Sequence, residues 1–399
     1  MKLEVLPILL LGLFGLFFST SASSQHKEEP APTPNFGWSI TEDPKKRSTR
    51  KTAPVPILVS AVTPETEEIL VETDLVLNDI LVFDKKGVSI SGLTQSDFKV
   101  YEDGEEQQIA MFSKGADDLP VSLILLIDHS LSQINHIARS TEAAKVLIDT
   151  IKPHYKMAII TDDINLLADF TDDKALLKQR LDRLRDKALS GEFGRSRQYS
   201  ALMAAIREKC VRDGTRQIVI FQTDGDEYPT LGSPEYTANG LTFDQIAAEA
   251  TARGVTIYTV YTGTPLSGLS NREKMDKAEA ALKEFSKIYA DVKKKEYSGR
   301  KMLASYVRST VKQMERDAAS VEEMAERTGG VAQSLESPDQ ALSIYGKILT
   351  DINKRYVIGY YPSNKERDGK ERRVKIVVNG RSDLEVFGRK SYFAPLAGK

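Results

Sequence analysis

Four uninterrupted apolar runs mark the middle of the chain: VSLILLID from Val121, KMAIIT from Lys156, RQIVIFQTD from Arg216 and VTIYTVYT from Val255. A strand that is apolar at every position has both faces covered, so these runs predict a parallel sheet between two layers of helices. Helical spacing fills the intervals. Ile134, Ala138, Thr141, Lys145, Ile148 and Ile151 follow the first run, and the stretches Leu176 to Leu184 and Ala201 to Val211 supply two more amphipathic helices. The fold class predicted for residues 119–355 is therefore α/β, an open, mostly parallel sheet with helices on both faces.

The flanks read differently. Between Ile69 and Ser113, Val71, Thr73, Leu75 and Leu77 alternate with other residues, and Asp84-Lys85-Lys86-Gly87 and Glu102-Asp103-Gly104 mark turns. Beyond Arg355 the text returns to β in RYVIGYYPS, RRVKIVVNG and LEVFGRKSYFAP. Each flank has too few strands to stand alone, so residues 67–118 and 356–399 are expected to pair as one flanking β-sandwich. Two apolar stripes, Met275 to Val292 and Leu303 to Ala325, predict a helical hairpin insertion at 271–328 that projects from the α/β unit. Residues 271–320 hold 13 Lys or Arg against 8 Asp or Glu, which suits a solvated basic face or a docking surface. Ser337-Pro338-Asp339-Gln340 has the form of a capping box and starts a last helix.

Composition narrows the function classes. Among 399 residues there are 55 Lys or Arg and 57 Asp or Glu, a formal charge of −2, which argues against a bulk electrostatic grip on nucleic acid. One cysteine, Cys210, allows no intramolecular disulfide, and its place in a helical pattern suits a buried, inert thiol. With four histidines and neither an HExxH nor a GxSxG motif, the common zinc-peptidase and serine-hydrolase constellations are out of reach. Lys2, the apolar stretch Val5 to Phe18 and small residues near Ala22 and Ser24 read as a cleavable signal peptide over 1–24. Residues 25–66, rich in Pro, Thr and charge, read as a disordered linker. The expected location is secreted or periplasmic, in a bacterial cell envelope, with no membrane span after signal cleavage.

The strongest chemical signal is LLIDHSLSQ. It sets Asp128, Ser130 and Ser132 at the carboxyl end of the first parallel strand, the end where open α/β sheets bind ligands. One carboxylate and two hydroxyls are hard oxygen donors suited to Mg2+ or Mn2+. The same residue types are good helix N-caps, which is the competing reading. QTDGDE brings Asp224 to the same edge, and GRSRQYSALMAAI places Ser196 in a loop before a helix. Taken singly, Asp224-Gly225 is also an ordinary turn pair and Ser196 an ordinary loop hydroxyl.

These three segments resemble the von Willebrand factor type A domain with its metal-ion-dependent adhesion site. GLTQSDFKVYEDGEEQQIAMFS, LADFTDD, ERTGG, RYVIGYYPSN and GRKSYFAP add a resemblance to the VWFA-related Acidobacterial domain family of exported proteins, spanning about Leu70 to Pro395. The resemblance implies that Ser130 and Ser132 coordinate the metal directly, that Ser196 stands in for a loop threonine, and that Asp128 and Asp224 act mainly through coordinated water. An open position would then face a partner's carboxylate. Leu131 departs from the family's frequent Gly and is expected to disturb the loop path, Ser200 stands where an Asp is frequent, and His129 is read as loop packing. The expected function is a non-enzymatic, metal-dependent adhesion or interaction module with no catalytic residues. The alternatives are a Mg-dependent hydrolase and a metal-free envelope scaffold.

Overall fold

The computed structural model describes residues 36–37, 75–86, 88–114, 120–134, 136–210, 215–225, 241–293 and 304–395. The predicted signal peptide, most of the predicted linker, the expected alternation at Val71 and Thr73, and the turn of the hairpin lie outside them.

After Phe36 and Gly37, the described residues open with four strands, β1 (Val76–Asp84), β2 (Phe98–Glu102), β3 (Glu105–Gln107) and β4 (Ile109–Lys114). The α/β unit follows: β5 (Val121–Ile127), α1 (Ile137–Thr150), β6 (Lys156–Thr161), β7 (Asn165–Thr171), α2 (Lys174–Leu189), α3 (Gln198–Ala204), β8 (Arg216–Thr223), α4 (Phe243–Arg253) and β9 (Thr256–Tyr261). Then come α5 (Asn271–Lys293), α6 (Ala304–Thr328), β10 (Ala332–Ser334) and α7 (Ala341–Lys354). The chain closes with β11 (Tyr356–Tyr360), β12 (Glu371–Val378), β13 (Leu384–Phe387) and β14 (Ser391–Phe393).

The six-stranded sheet runs β10-β9-β8-β5-β6-β7, parallel except for β7 against β6. Side chains of β5 alternate between two cores, which is why the run needs no polar residue. Leu123, Leu125 and Ile127 join Leu147 and Ile348 on the α1, α2 and α7 side, while Ile124 and Leu126 join Leu202, Ile246 and Met324 on the other. After β5 the chain builds outward to β6 and β7, then returns to add β8 on the other side. The order therefore reverses at β5, which puts the switch point of the sheet at the carboxyl ends of β5 and β8. Cys210 is buried beside this second core, and burial pushes its thiol up to about 12, as suits an inert side chain.

The flanking strands form two antiparallel sheets, β13-β1-β11-β4 and β14-β12-β2-β3, so each combines strands from both ends of the described chain, alternating in the first and meeting at the β12-β2 pair in the second. Val76, Ile80, Val82, Phe98, Val100, Tyr356, Ile358, Val374 and Val378 fill the space between them, as expected of a β-sandwich. One charged cluster lies in that core. Glu102 is 3% exposed and accepts from the Tyr360 and Tyr392 hydroxyls, both at 2.8 Å, and from Arg372 Nη1 at 3.3 Å. Buried arginines tie sandwich to sheet: Arg216, opening β8, donates to Asp79 of β1 and to the Ile352 carbonyl, and Arg355 pairs with Asp351 at 2.6 Å while also reaching the Asp79 carbonyl.

The hairpin is present but does not project along its whole length. Ala278 of α5 packs with Val307 and Val311 of α6 and with Leu266. The second half of α6 belongs to the α/β unit itself: Met324 enters the core beneath the sheet, the Val321 carbonyl accepts from Thr259 Oγ1 at 3.0 Å, and Thr328 Oγ1 accepts from Ile257 N at 3.1 Å. The stripe continues past the point where its partner changes from α5 to β9, a switch that periodicity cannot show. Several hairpin lysines face its own acids, Lys274 with Glu315, Lys283 with Glu279 and Lys287 with Glu284, so the basic face is partly neutralised.

The predicted linker also departs from expectation at two residues. Phe36 packs against the core beneath the sheet, and the Gly37 N–H donates to Glu208 Oε2 at 2.8 Å.

Candidate metal centre

Asp128 extends β5 by one residue, its N–H donating to the Gln222 carbonyl at 2.9 Å. The chain then leaves the sheet through Ser130 in extended geometry and a 3-10 turn at Leu131–Gln133. Asp128 Oδ1 accepts from the Ser130 N–H at 2.9 Å, a local turn that aims both residues the same way. Ser130 Oγ lies 3.0 Å from Ser132 Oγ. None of these side chains caps α1, whose N-cap position is His136, so the capping reading of the motif does not account for it. Leu131 lies outside the left-handed region, in a backbone conformation that it adopts without strain.

The Ser196 loop reaches this point through backbone contacts. Gly194 forms a parallel bridge with Ser130, and its N–H donates to the His129 carbonyl at 3.1 Å. Asp162, at the carboxyl end of β6 and fully buried, accepts from His129 N at 3.0 Å through Oδ1 and from Ser196 N at 2.8 Å through Oδ2. Its Oδ1 also lies 2.5 Å from His129 Nδ1. Ser196 itself sits at φ +53°, in the left-handed region, held there by these neighbours. Gly194 has no room for a side chain: a Cβ would run into the Asp162 carboxylate and come 2.6 Å from His129 Cε1. Gly194→Ala is therefore expected to displace the Asp162 carboxylate and lower Mn2+ affinity by about tenfold, the equivalent of about 1.4 kcal/mol of misplacement. Parallel Mn2+ titration and thermal unfolding would check that the loss exceeds any loss of stability.

Asp224 arrives from β8. Gln198, the first residue of α3, donates from Nε2 to Asp128 Oδ2 at 2.9 Å and accepts from Thr223 Oγ1 through Oε1. Thr223 Oγ1 in turn accepts from the Gly225 N–H at 2.8 Å, which fixes the turn carrying Asp224. Burial drives the Asp128 carboxyl well above the usual carboxylate range, and the negative charges of Asp224 and Asp162 push it further. At His129, burial disfavours the imidazolium, but the hydrogen bond and charge of Asp162, with Asp163, hold the pKa above its ordinary value.

Asp128, Ser130, Ser132, Ser196 and Asp224 thus come from three segments to one edge of the sheet. A divalent cation suits these residue types: they offer hard oxygens, Ser130 and Ser132 place their hydroxyls side by side, and the mutual repulsion of buried Asp128 with Asp224 and Asp162 is what a cation would relieve. His129, Asp162 and Asp163 also place ligand atoms within 4.8 Å of one another. Those atoms are already engaged, Asp162 on both oxygens and Asp163 by Thr161 Oγ1, so they act as the frame of the site. Asp162, Gln198 and Gly194 escaped the sequence reading. Asp162 was within reach, since it follows a predicted parallel strand just as Asp128 does, whereas Gln198 and Gly194 carry no signal before the fold is known.

Beyond the metal loop, His136 is the first residue of a polar staple. Its Nδ1 lies 2.8 Å from Arg139 Nη2, which donates to the Thr262 carbonyl at 3.0 Å. Burial, and secondarily Arg139, lower the His136 pKa from 6.5 to about 4. The unfolded chain therefore binds this proton more readily than the fold does. The stabilisation is complete above pH 6.5 and is lost as pH falls toward 4, with a slope of up to about 1.4 kcal/mol per pH unit. His136→Gln is expected to remove that component from urea unfolding curves recorded across this window.

No protein-family model and no curated protein matches the sequence. Among solved structures, several show a distant similarity. An aerotolerance-related membrane protein from Bacteroides fragilis is 16% identical, over 59% of this chain and 99% of its own, with a TM-score of 0.36. A von Willebrand factor type A protein from Catenulispora acidiphila is 10% identical over 82% and 76%, with a TM-score of 0.36. The manganese-loaded Plasmodium vivax TRAP protein is 12% identical over 74% and 98%, with a TM-score of 0.34. The α/β unit is an open, mostly parallel sheet between helices, with a β-sandwich and a helical hairpin added to it.

Proposed function

We propose that the chain is a non-enzymatic protein-binding module in which Ser130, Ser132 and Ser196, with Asp128 and Asp224 acting mainly through water, hold Mg2+ or Mn2+ and leave one position for a carboxylate of a protein partner. The observation that carries this reading is Asp128: a carboxylate buried to 1% exposure, near two other carboxylates, with two serine hydroxyls beside it and no lysine or arginine among its hydrogen-bond partners. Few charges directly on the ion would leave it electrophilic toward an incoming Asp or Glu. The apolar run Val5 to Phe18 supports export to the cell envelope or beyond, and no helix among the described residues is long and apolar enough to cross a membrane. Calorimetric titration of the chain with Mg2+ and Mn2+, followed by capture on an aspartate-peptide surface with and without chelator, tests the reading. Saturable metal binding and chelator-sensitive capture are expected. Metal-independent capture, or no metal binding at millimolar concentration, would overturn it, and turnover of generic phosphoesters would favour a hydrolase instead.

A further inference from the structure

We propose that Phe36-Gly37 is an intramolecular strap: the α/β unit carries a docking face for this aromatic-glycine dipeptide, and its occupancy pins the turn Asp162-Asp163-Ile164. The contact has the marks of a specific fit. Gly37 is buried, its N–H donates to Glu208 Oε2 at 2.8 Å, and its φ of +87° is a conformation that favours glycine. A Cβ at Gly37 would come 2.7 Å from Ile164 Cγ2, so backbone lies directly on that side chain. Phe36 packs on the core beneath the sheet, the same core that Ile164 and Phe170 cover from the side. Glu208, the acceptor, lies in the π-helical turn Ala205–Lys209 that continues α3, so the strap joins two elements distant in sequence.

Ile164 is where the strap meets the turn. It holds φ +63°, a region that a β-branched residue enters only when its surroundings over-determine it. Its N–H closes the turn on the Thr161 carbonyl at 3.1 Å. The same turn carries Asp162, whose carboxylate fastens His129 and Ser196. Docking of Gly37 against Ile164 supplies one of the packing contacts that hold this conformation, and the inference stands whether or not the neighbouring oxygens bind metal.

The test uses a probe the chain already contains. Trp38, the only tryptophan, is the next residue, so its fluorescence anisotropy reports whether the dipeptide is held. In the full chain Trp38 is expected to tumble with the body of the protein, and Phe36→Ala and Gly37→Val should each lower its anisotropy by about twofold, with secondary structure and cooperative unfolding retained. Amide exchange at Ile164 should rise by about tenfold in the same variants. Low anisotropy in the unaltered chain, or no change in either variant, overturns docking. Release of Trp38 with unchanged exchange at Ile164 overturns the pinning of the turn.

Discussion

Asp128→Ala is expected to reduce Mg2+ and Mn2+ affinity by at least about 100-fold, or about 2.7 kcal/mol, while the metal-free protein keeps its thermal midpoint or gains a few degrees. The two halves of this expectation have one cause. Asp128 is buried where water cannot solvate its charge, and Asp224 and Asp162 oppose that charge further, so without a cation the carboxylate is a burden on the fold. Its removal withdraws one acceptor from Gln198 Nε2 and from the Ser130 N–H, which offsets part of the relief. Asp128→Asn keeps the shape and one acceptor oxygen and removes only the charge, so it should lose metal comparably and be the more stable of the two. Calorimetric titration beside differential scanning of both variants would check this. An affinity unchanged in Asp128→Ala would remove this residue from the site.

Glu102→Ala should destabilise the sandwich by about 3–5 kcal/mol, the range for removing one partner of a buried ion pair. The loss takes the shared acceptor from the hydroxyls of Tyr360 and Tyr392 and the buried counter-charge from Arg372, itself 3% exposed, which keeps its bonds to the Asn364 and Glu366 carbonyls. Glu102→Gln retains an acceptor for the tyrosines and should cost less. The pair Lys99–Glu106, between β2 and β3 of the same sheet but with side chains 37% and 54% exposed, sets the contrast: Glu106→Gln should change stability by less than about 1 kcal/mol. Urea denaturation of the three variants would rank them, and a Glu102→Ala loss no larger than that of Glu106→Gln would show the cluster to be solvated.

The sequence made the sheet and its oxygen-rich edge legible because both depend on short-range features. Runs such as VSLILLID report double-sided burial by composition alone, and the residue after such a run lies at a strand end whatever the rest of the fold does. Asp128 and Asp224 were found that way. The frame around them was not, because its members are chosen by tertiary contact. Asp162-Asp163 looks like any acidic turn, Gln198 like any first helical residue, and Gly194 like any loop glycine until the Asp162 carboxylate is seen where a side chain would go. The same holds for α6, whose unbroken stripe changes partner halfway, and for Phe36-Gly37, two adhering residues in a segment whose average composition says linker.

The interleaving of β1 and β2 with β11 and β12 also makes the order of synthesis a physical problem. Asp79 and the arginine that reaches its carbonyl are 276 positions apart, so the first four strands emerge long before the strands that flank them. During that interval Val76, Ile80, Val82, Phe98 and Val100 have no opposite face, and β1 offers bare edges to any other extended chain. The α/β unit, whose sheet contacts are closer in sequence, can close first and bring Arg355 and β11 to the waiting strands. A nascent or secreted chain stopped anywhere before Tyr356 would leave that half-built sandwich exposed, and so would be the form most in need of a chaperone.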